Sequence, residues 1–599
     1  MSWTHLLHCA MERMRCADPR RRWWLTLVMF FGAAWFLGCF YHLGDLGRYS
    51  DDWAFADVDP VTHLARWGGT PFERHYFWRP ALQAFLHYAF LILWHHMWIF
   101  HLMNVACHAA IAAGVYWLSR RLGSSPHASA AAAFVFLLFP FQYEVIFWST
   151  AMTSAVPAGL MIVLCGIVIF HARSTGADWR RLGLMSVLMF FAACWYEQPC
   201  AIAAGFPFLY MASRQEEPLA RSLRRIAAMM IACGVPLVAY ILLLRYTAPA
   251  SARGGAGSFV TLDELPKRLE SLVPAFSWYF SARLRNAYLG GLTTGMRELV
   301  TIRGAIMAAT VGILGGCWLV EWISRPVPPI PTLTAERARA RARAAWGFAF
   351  ALAACLSVWL PIIPIRNQIL EVRLAYCMCI GLALAIAFLL DFLGRLTRKL
   401  RVFPLLHTAV GGAVVVLVWV SSVAMLGWQS VIRTRTAIDA VQTRELAERF
   451  ASVPPGTVFL LLRDDYRAGA TGRLAFDWPP LGWTSASWSS TPAIRWAMKR
   501  NDVVASAINI WVPPPFRDPD DAGIVYTGGL TPIASVKSDP KGHLLIRWDL
   551  MVPYYIDAQG RVNPVREVHV FSTSTPKVVV GRATLVGADA KERFNLELP

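Results

Sequence analysis

The sequence is poor in charge: Asp, Glu, Lys and Arg make up only 16% of its 599 residues, against 56% hydrophobic residues. Its mean hydropathy is accordingly positive, at +0.43. A soluble globular chain with this balance would expose more apolar surface than it could bury. The scarcity of charge therefore excludes an ordinary soluble protein and predicts a polytopic α-helical membrane protein.

Several motifs of well-known chemistries are absent. The sequence has no G-x-x-x-x-G-K-[ST] loop and no G-x-G-x-x-G after a strand, which argues against chemistry driven by ATP or NAD. It also lacks the G-x-S-x-G nucleophile elbow and the H-E-x-x-H zinc pair. All 12 cysteines lie between Cys9 and Cys379 without a C-x-x-C spacing, so we interpret them as structural thiols and expect no disulfide in the C-terminal region.

Lysine is scarce as well: seven of the 57 basic residues are Lys and 50 are Arg. With 38 acidic residues the net charge is +19, which would suit nucleic-acid binding, phosphate binding by arginine or a membrane-topology signal. An arginine-rich genome would produce the same preference for Arg over Lys. The distribution of the basic residues along the chain decides between these interpretations.

About eleven segments are long and apolar enough to cross a bilayer. They lie near 23–43, 98–119, 127–147, 155–172, 181–195, 199–213, 226–246, 304–323, 346–364, 374–391 and 405–427. With a cytoplasmic N-terminus, every cytoplasmic end is basic, at 20–22, 120–121, 180–181, 221–225, 336–343 and 395–401. This positive-inside pattern accounts for most of the charge without nucleic acid as a partner, and it predicts a multi-pass protein of the inner (plasma) membrane.

The same topology predicts the domain organisation. Residues 1–430 form the transmembrane domain, with one long outward loop at 44–97 and a second at 247–303. Segment 80–97 is short and contains Gln83, His87, His95 and His96, so we expect an interfacial helix rather than a span. Short β-branched runs separated by turn residues predict that 431–599 is an extracytoplasmic β-rich α+β domain.

Several charged residues fall at the outward ends of the predicted spans, where unpaired charge is costly. Asp51 and Asp52 in "YSDDW" could include a general base, because adjacent carboxylates repel each other; a helix N-cap or a solvated turn is the alternative. Arg79 in "YFWRPAL" could bind a lipid phosphate or merely anchor the interfacial helix. The other outward candidates are Glu144, Glu197, Glu371 and Arg373.

A polar stripe lies on the second predicted span. His101, Asn104 and His108 follow one another at spacings of three and four residues, so they share one helix face. A metal site would need a further ligand that this stripe does not supply. Interhelical hydrogen bonding is therefore the favoured interpretation.

The order of these features resembles the GT-C superfamily of membrane glycosyltransferases. The string "YWLSRRLG" resembles the lipid A aminoarabinose transferase and protein O-mannosyltransferase branch, and "RPAL", "FHLMNVACHA", "LFPFQYEVIFWST" and "EVRLAY" are similar to TMTC-type mannosyltransferases. The resemblance covers about residues 23–430. The TMTC repeats are absent and the C-terminal region differs, so the acceptor class cannot be inherited.

The resemblance implies an inverting transfer of a hexose or pentose from a polyprenyl-phosphate-linked donor to an acceptor hydroxyl at the outer membrane face. It implies Asp51 or Asp52 as the general base, and Arg79 and Arg373 as ligands of the donor phosphate. A divalent cation is possible, and the partners would be the donor, membrane lipids and an acceptor glycolipid, glycan or protein. A flippase or transporter of a lipid-linked saccharide, or a polymerase or ligase of surface polysaccharide, is the alternative.

Overall fold

The computed structural model of the chain describes its helices, most of its short connections and the strands of its C-terminal third. The described residues are 19–48, 52, 79–93, 96–149, 152–174, 178–214, 216–247, 263–324, 334–357, 359–360, 363, 376–397, 403–455, 457–464, 487–500, 502–507, 521–525, 536–538, 544–546, 551–557, 559–564, 567–571, 579–586 and 593–597. Asp51, Glu371 and Arg373 lie outside them, as does the glycine-rich stretch of the second outward loop.

Sixteen α-helices are present in the described parts of the chain. In order, α1 to α16 are Pro19–Trp35, Pro80–Leu93, Met97–Arg121, Pro126–Leu138, Tyr143–Phe147, Met152–Arg173, Trp179–Trp195, Phe206–Ser213, Leu219–Thr247, Leu265–Trp278, Leu284–Glu298, Ile302–Ser324, Thr334–Ser357, Tyr376–Thr397, Phe403–Arg449 and Ser487–Met498. A π-helical turn at Phe36–Phe40 continues α1.

Seven helical segments of the described chain are long and apolar enough to cross a membrane, and a bent pair brings the number to eight if it is one span. The seven are Arg21–Asp45, Met97–Arg121, Ser154–Arg173, Leu219–Leu243, Ile302–Ser324, Tyr376–Leu393 and Leu405–Arg449. The chain is thus a polytopic, mainly helical membrane protein. Helix α2 has only 14 residues, fewer than the roughly 20 that a span needs.

The bent pair is α4 and the segment Pro140–Phe147, which meet at 41°. One residue, Phe139, separates α4 from Pro140, which begins a 3-10 turn. Proline supplies no N–H to continue the helix. At its other end α4 begins at Pro126, with Ser125 as the N-cap. The apolar stretch predicted as one span at 127–147 is therefore broken near its end.

Three of the predicted spans are helical but fall short of a full crossing by length or composition. Helix α7 has 17 residues, and the segment predicted at 199–213 divides into a 3-10 stretch, Gln198–Gly205, followed by the short α8. Pro199 is the second residue of that 3-10 stretch, where it supplies no backbone N–H for an α-helix. Helix α13 carries the arginine-rich run in its first half, which lowers its hydropathy.

The chain forms two compact units. The first comprises Met1–Asp45, Pro71–Phe85 and Trp98–Ser430, and the second Leu46–Thr70, Leu86–Met97 and Val431–Pro599. Helix α10 lies in the segment predicted as the second outward loop, and a π-helical turn, Tyr279–Arg283, leads from it into α11. The core of the first unit is built from the inner faces of its apolar helices.

Helix α11 lies so close to the last long helix, α15, that their backbones touch. A Cβ added at Gly291 or Gly295 would meet the carbonyl oxygen of Ala424 or Val423, and one added at Gly427 would meet the carbonyl oxygen of Gly291. Small residues four apart permit this approach, as they do between helices in membranes. The glycines therefore fix the position of α11 within the first unit.

The second unit contains the strands that the β-branched runs predict. Strands β1 to β10 are Val458–Asp464, Val504–Ala507, Asp521–Val525, Val536–Ser538, Leu544–Ile546, Met551–Ile556, Val562–Pro564, Glu567–Phe571, Val579–Val586 and Arg593–Glu597. They form sheets of order β2-β1-β6-β7, β10-β9-β8-β3 and β4-β5. In the first sheet β1 is parallel to both β2 and β6, and α16 precedes β2, so this part is an α+β structure.

The core of the second unit lies on one face of this first sheet. It includes side chains of the sheet, of α16 and of the end of α15, namely Leu446, Phe459, Leu461, Ala493, Ile494, Val503, Ala505, Tyr554, Ile556 and Val562. Because no cysteine occurs here, the unit depends on this apolar core for its stability.

Gly295→Val is expected to destabilise the contact between α11 and α15, because the added Cβ would collide with rigid helix backbone at Val423. Overpacking costs about 1–3 kcal/mol, so the midpoint of thermal unfolding in detergent should fall. Gly316→Val on α12 is the matched control, since no atom lies within 4 Å of the added Cβ there. Equal midpoints for the two variants would contradict the close contact.

The turn between β6 and β7 is held by one carboxylate. Asp557 Oδ1 accepts the backbone N–H groups of Gln559 and Arg561, each at 2.9 Å. Its Oδ2 accepts the Asn563 amide at 3.1 Å and the Arg561 Nε at 3.0 Å. Burial alone would raise the pKa of Asp557, but these hydrogen bonds outweigh it and lower the pKa below its usual value.

A carboxyl group whose pKa is lowered on folding stabilises the folded state above its unfolded pKa, about 3.9 for Asp. That contribution is lost as the pH falls through the lower folded value. Hydrogen-exchange protection of β6 and β7 should therefore drop below about pH 4, after correction for intrinsic exchange. Asp557→Asn should lower the protection at neutral pH and remove this pH dependence, whereas Glu448→Gln, at an exposed position of α15, should change neither.

Candidate functional site

Arg79 immediately precedes α2 and is held by a carboxylate from the end of another helix. Its Nη2 lies 3.3 Å from Glu197 Oε1 and its Nε 3.4 Å from Glu197 Oε2, in a forked geometry. Its guanidinium carbon lies 3.9 Å from the centre of the Tyr196 ring. Two residues predicted separately as outward candidates therefore form one charged pair within the first unit.

The local backbone explains why Glu197 is available to Arg79. Helix α7 ends at Trp195, and Tyr196 is extended, with its N–H still bonded to the Ala192 carbonyl at 2.8 Å. Glu197 then precedes the 3-10 stretch that contains Pro199. Glu197 therefore lies in the short connection between α7 and the 3-10 stretch, and from there its carboxylate contacts Arg79.

The pair leaves Arg79 able to bind a ligand. A guanidinium has five N–H donors, of which two are directed at Glu197, so three remain. The side chain of Arg79 is 31% exposed, and that of Glu197 is 38% exposed. A partly exposed, immobilised guanidinium at the first turn of a helix is well suited to an anion, because the helix N-terminus adds a partial positive charge.

Asp52 lies in the second unit and is fully buried, which rules out a solvated turn at this residue. The charge of Asp52 acts on Arg48, whose guanidinium carbon lies 4.5 Å from the centre of the Trp496 ring. Burial lowers the pKa of Arg48 to about 10, against the opposing effect of Asp52. Asp52 therefore has a neighbour of opposite charge, Arg48, which itself lies against an aromatic ring.

The polar stripe of α3 forms hydrogen bonds between segments. His108 bridges two of them: its Nε2–H donates to the Leu137 carbonyl at 2.9 Å, and its Nδ1 accepts from the Tyr376 hydroxyl at 2.7 Å. Asn104 donates to the Trp148 carbonyl at 2.7 Å. His101 Nε2 lies 3.3 Å from the Ser149 hydroxyl. This is the interhelical role that the sequence pattern favours.

Glu144 is buried in the short helix α5. The Tyr143 hydroxyl donates to Glu144 Oε1 at 3.2 Å, and the Tyr143 ring stacks on Trp428 at 3.9 Å between centroids. Glu144 therefore lies inside the first unit, with an aromatic neighbour that contacts α15. The sequence predicts Glu144 at the outward end of a span. In the structure it lies in the second helical segment of the bent pair, after the break that follows α4.

A charged cluster at the end of the first span was not among the predicted site residues. His42 Nε2 lies 3.3 Å from Glu298 Oε2 and its Nδ1 lies 3.7 Å from Asp45 Oδ2. The Ser430 hydroxyl donates to Glu298, and the backbone N–H of His42 donates to Gln429 Oε1 at 3.0 Å. The signal in the sequence is "YHLGD" at 41–45, a histidine and an aspartate that close an apolar run.

Among the described residues, no group of three or more His, Cys, Asp or Glu side chains could hold a metal ion. Asp51 and Glu371, two acidic residues that the predicted topology places at the outer face, lie outside that part of the chain. The divalent cation that the resemblance allows therefore remains an expectation.

Comparisons with known proteins place the chain at a distance from characterised families. No family model and no curated protein matches it. Among solved structures it is similar to ArnT from Cupriavidus metallidurans bound to undecaprenyl phosphate, with 14% identity, a TM-score of 0.35 and coverage of 95% of this chain and 97% of ArnT.

It is also similar to the archaeal oligosaccharyltransferase AglB from Archaeoglobus fulgidus, in complex with an inhibitory peptide and a dolichol-phosphate. The identity is 10% and the TM-score 0.37, with coverage of 81% of this chain and 64% of AglB. A second structure, of the Archaeoglobus fulgidus oligosaccharyltransferase tethered with an acceptor peptide, has 11% sequence identity and a TM-score of 0.35. The coverage is again 81% of this chain and 64% of the other. At these TM-scores the similarities carry no argument about chemistry.

Proposed function

We propose that the protein is an integral-membrane glycosyltransferase. It moves a sugar from a polyprenyl-phosphate donor to an acceptor hydroxyl at the outer face of the inner membrane. The observation that carries this proposal is the arrangement of Arg79 at the start of α2. Glu197 and Tyr196 hold its guanidinium in place. The side chain is partly exposed and keeps three N–H donors for a ligand. The resemblance of the sequence motifs to the GT-C superfamily gives this guanidinium its ligand, a lipid-linked phosphate.

The length of α2 supports a position at the membrane surface. Fourteen helical residues extend about 21 Å, which is less than the roughly 30 Å of the hydrocarbon layer. Tyr88 and Ile92 are strongly exposed on this helix, as expected of side chains that contact lipid. We therefore assign Arg79, directly before this helix, to the level of the lipid phosphates.

The chemistry assigned to these residues is an inverting displacement at the anomeric carbon. By resemblance, Asp51 or Asp52 takes the proton of the acceptor hydroxyl while the hydroxyl oxygen forms the new glycosidic bond. The bond between the anomeric carbon and the donor phosphate breaks, and the phosphate oxygen leaves with the electron pair. Arg79, with Arg373 by resemblance, stabilises the negative charge on this leaving group.

The surroundings of Asp52 are compatible with a base. Arg48 is a cationic neighbour of this carboxylate, and the charges of the two side chains attract each other. Asp51 carries the same role by resemblance. The transfer of a hexose or pentose is likewise what the family resemblance implies.

Asp51→Asn and Asp52→Asn test the base. In membranes supplied with a polyprenyl-phosphate sugar, the variant that removes the base should slow the release of polyprenyl phosphate by about 10²–10⁴-fold. Asp263→Asn, at an exposed position before α10, is the matched control and should retain full activity. Size-exclusion profiles of all variants in detergent verify that they fold.

Two outcomes contradict the proposal. Full activity in both Asp51→Asn and Asp52→Asn would remove the assigned base. Transfer of the intact lipid-linked sugar across the membrane, without release of polyprenyl phosphate, would identify a flippase instead.

Arg79→Gln is expected to raise the KM for the lipid donor at least tenfold and to lower kcat. The guanidinium binds the phosphate of the intact donor and also stabilises the charge of the leaving phosphate in the transition state. Arg79→Lys should not restore the activity, since an ammonium lacks the forked geometry that Glu197 holds. Arg297→Gln, at an exposed position near the end of α11, is the control. Unchanged donor kinetics in Arg79→Gln would exclude Arg79 as the phosphate ligand.

Glu197→Gln separates positioning from binding. The amide keeps the shape of the side chain but loses the charge that holds Arg79, so the KM for the donor should rise less than in Arg79→Gln. In the double variant the effects should not add, because Glu197 acts through Arg79.

A further inference from the structure

Three arginines from three different helices converge at one end of the first unit. Arg121 ends α3, Arg173 ends α6, and Arg343 lies in the first half of α13. The charges of Arg121 and Arg343 both act on the guanidinium of Arg173. Arg121 and Arg343 are exposed and Arg173 is partly buried, so the group is open to a ligand from outside.

This arginine cluster lies at the opposite end of the first unit from Arg79. Helix α6 ends at Arg173, α7 returns from Trp179, and Glu197 follows the end of α7. The two ends of the hairpin formed by α6 and α7 therefore carry the arginine cluster and the pair of Arg79 with Glu197, respectively. The cluster is thus not part of the site described above.

Packing contacts hold the cluster together. Gly123 follows the end of α3 in the left-handed conformation typical of a helix C-terminus. The Arg343 side chain lies beside it, with its Cδ 3.4 Å from where a Cβ of residue 123 would be. The guanidinium of Arg121 lies 5.5 Å from the centre of the Trp117 ring. The same Trp117 ring contacts α6 at Gly166, so α3 and α6 are joined beneath the cluster.

Neighbouring arginines at this end of the unit have carboxylate partners. Arg181 pairs with Asp178 at 2.9 Å and Arg225 with Glu217 at 3.4 Å, and Arg339, one turn before Arg343, pairs with Glu216. In the described part of the chain, no carboxylate lies within ion-pair distance of the three clustered arginines. The cluster therefore keeps its full charge.

Such a concentration of like charge is unfavourable without a counter-charge. The C-termini of α3 and α6 each offer about half a negative charge, which offsets only about one of the three positive charges. A positive-inside signal requires basic residues on one side of the membrane, but it does not require three helices to bring them together. The convergence needs another explanation.

We propose that Arg121, Arg173 and Arg343 bind a phosphate group at the arginine-rich face of the membrane domain. Guanidinium groups match phosphate oxygens through forked, charge-assisted hydrogen bonds, and three of them from different directions enclose a tetrahedral anion. The phosphate belongs either to the headgroup of an anionic lipid or to a free phosphate ion. In both cases it joins α3, α6 and α13.

The test uses the full-length protein purified in detergent and measures its midpoint of thermal unfolding. Mixed micelles with phosphatidylglycerol, mixed micelles with phosphatidylcholine, and inorganic phosphate in plain detergent are the three additions. The wild-type midpoint should rise with phosphatidylglycerol or with inorganic phosphate but not with phosphatidylcholine, and the addition that raises it identifies the source of the phosphate.

The variant Arg121→Gln, Arg173→Gln, Arg343→Gln should bind the stabilising phosphate at least tenfold more weakly, measured as the shift of its half-saturating concentration. Each charge-assisted hydrogen bond lost is worth about that factor. The matched control is Arg180→Gln, Arg221→Gln, Arg224→Gln, which removes three exposed arginines near the same end. In phosphatidylcholine the cluster variant should be at least as stable as the wild type, because its like-charge repulsion is relieved.

Two results would overturn the proposal. The first is a wild-type midpoint that neither phosphatidylglycerol nor phosphate raises. The second is an equal loss of affinity in the control variant, which would show general charge attraction instead of a site.

Discussion

The exclusion of unpaired charge from the hydrocarbon layer is the constraint on which the first unit depends. It confines charged side chains to helix ends or to contacts with partners. Asp391 near the end of α14 accepts the N–H of Ser125 at 2.8 Å, at the point where α4 begins. Glu298, at the end of α11, is shared by His42 and Ser430. Polar groups thus mark where the apolar helices end and which of them meet.

This constraint also explains which features of the fold were predictable. Apolar length and basic ends depend on local sequence, so the full spans and the basic helix ends could be predicted from it. The contact of α11 with α15 could not be predicted in this way. Gly291 and Gly427 are far apart in sequence, and a glycine does not indicate which helix it will contact. A hydropathy count also treats 127–147 as one straight segment, whereas Pro140 makes it a bent pair of helices.

The candidate site shows the same division between local and long-range information. The sequence predicted Arg79 and Glu197 as charges of one face, yet their pairing joins residues 118 positions apart and depends on how α2 meets the end of α7. The stripe of His101, Asn104 and His108 was correctly associated with hydrogen bonding because its spacing is local, whereas its partners, among them Tyr376, were not foreseeable. His42 was missed because a histidine that ends an apolar run carries no motif.

The two ends of the hairpin of α6 and α7 differ in how their arginines are balanced, and this difference bears on function. At one end Arg79 has Glu197, whose carboxylate keeps the guanidinium oriented before any ligand arrives. A ligand there binds a guanidinium that is already oriented. Because Glu197 already balances its charge, the ligand gains little binding free energy from neutralisation, which suits a substrate that must also dissociate. At the other end the described charges that act on Arg173 are those of Arg121 and Arg343, so an anion that binds there also relieves repulsion between helices. Binding and folding are then coupled at that end, which suits a structural ligand more than a substrate.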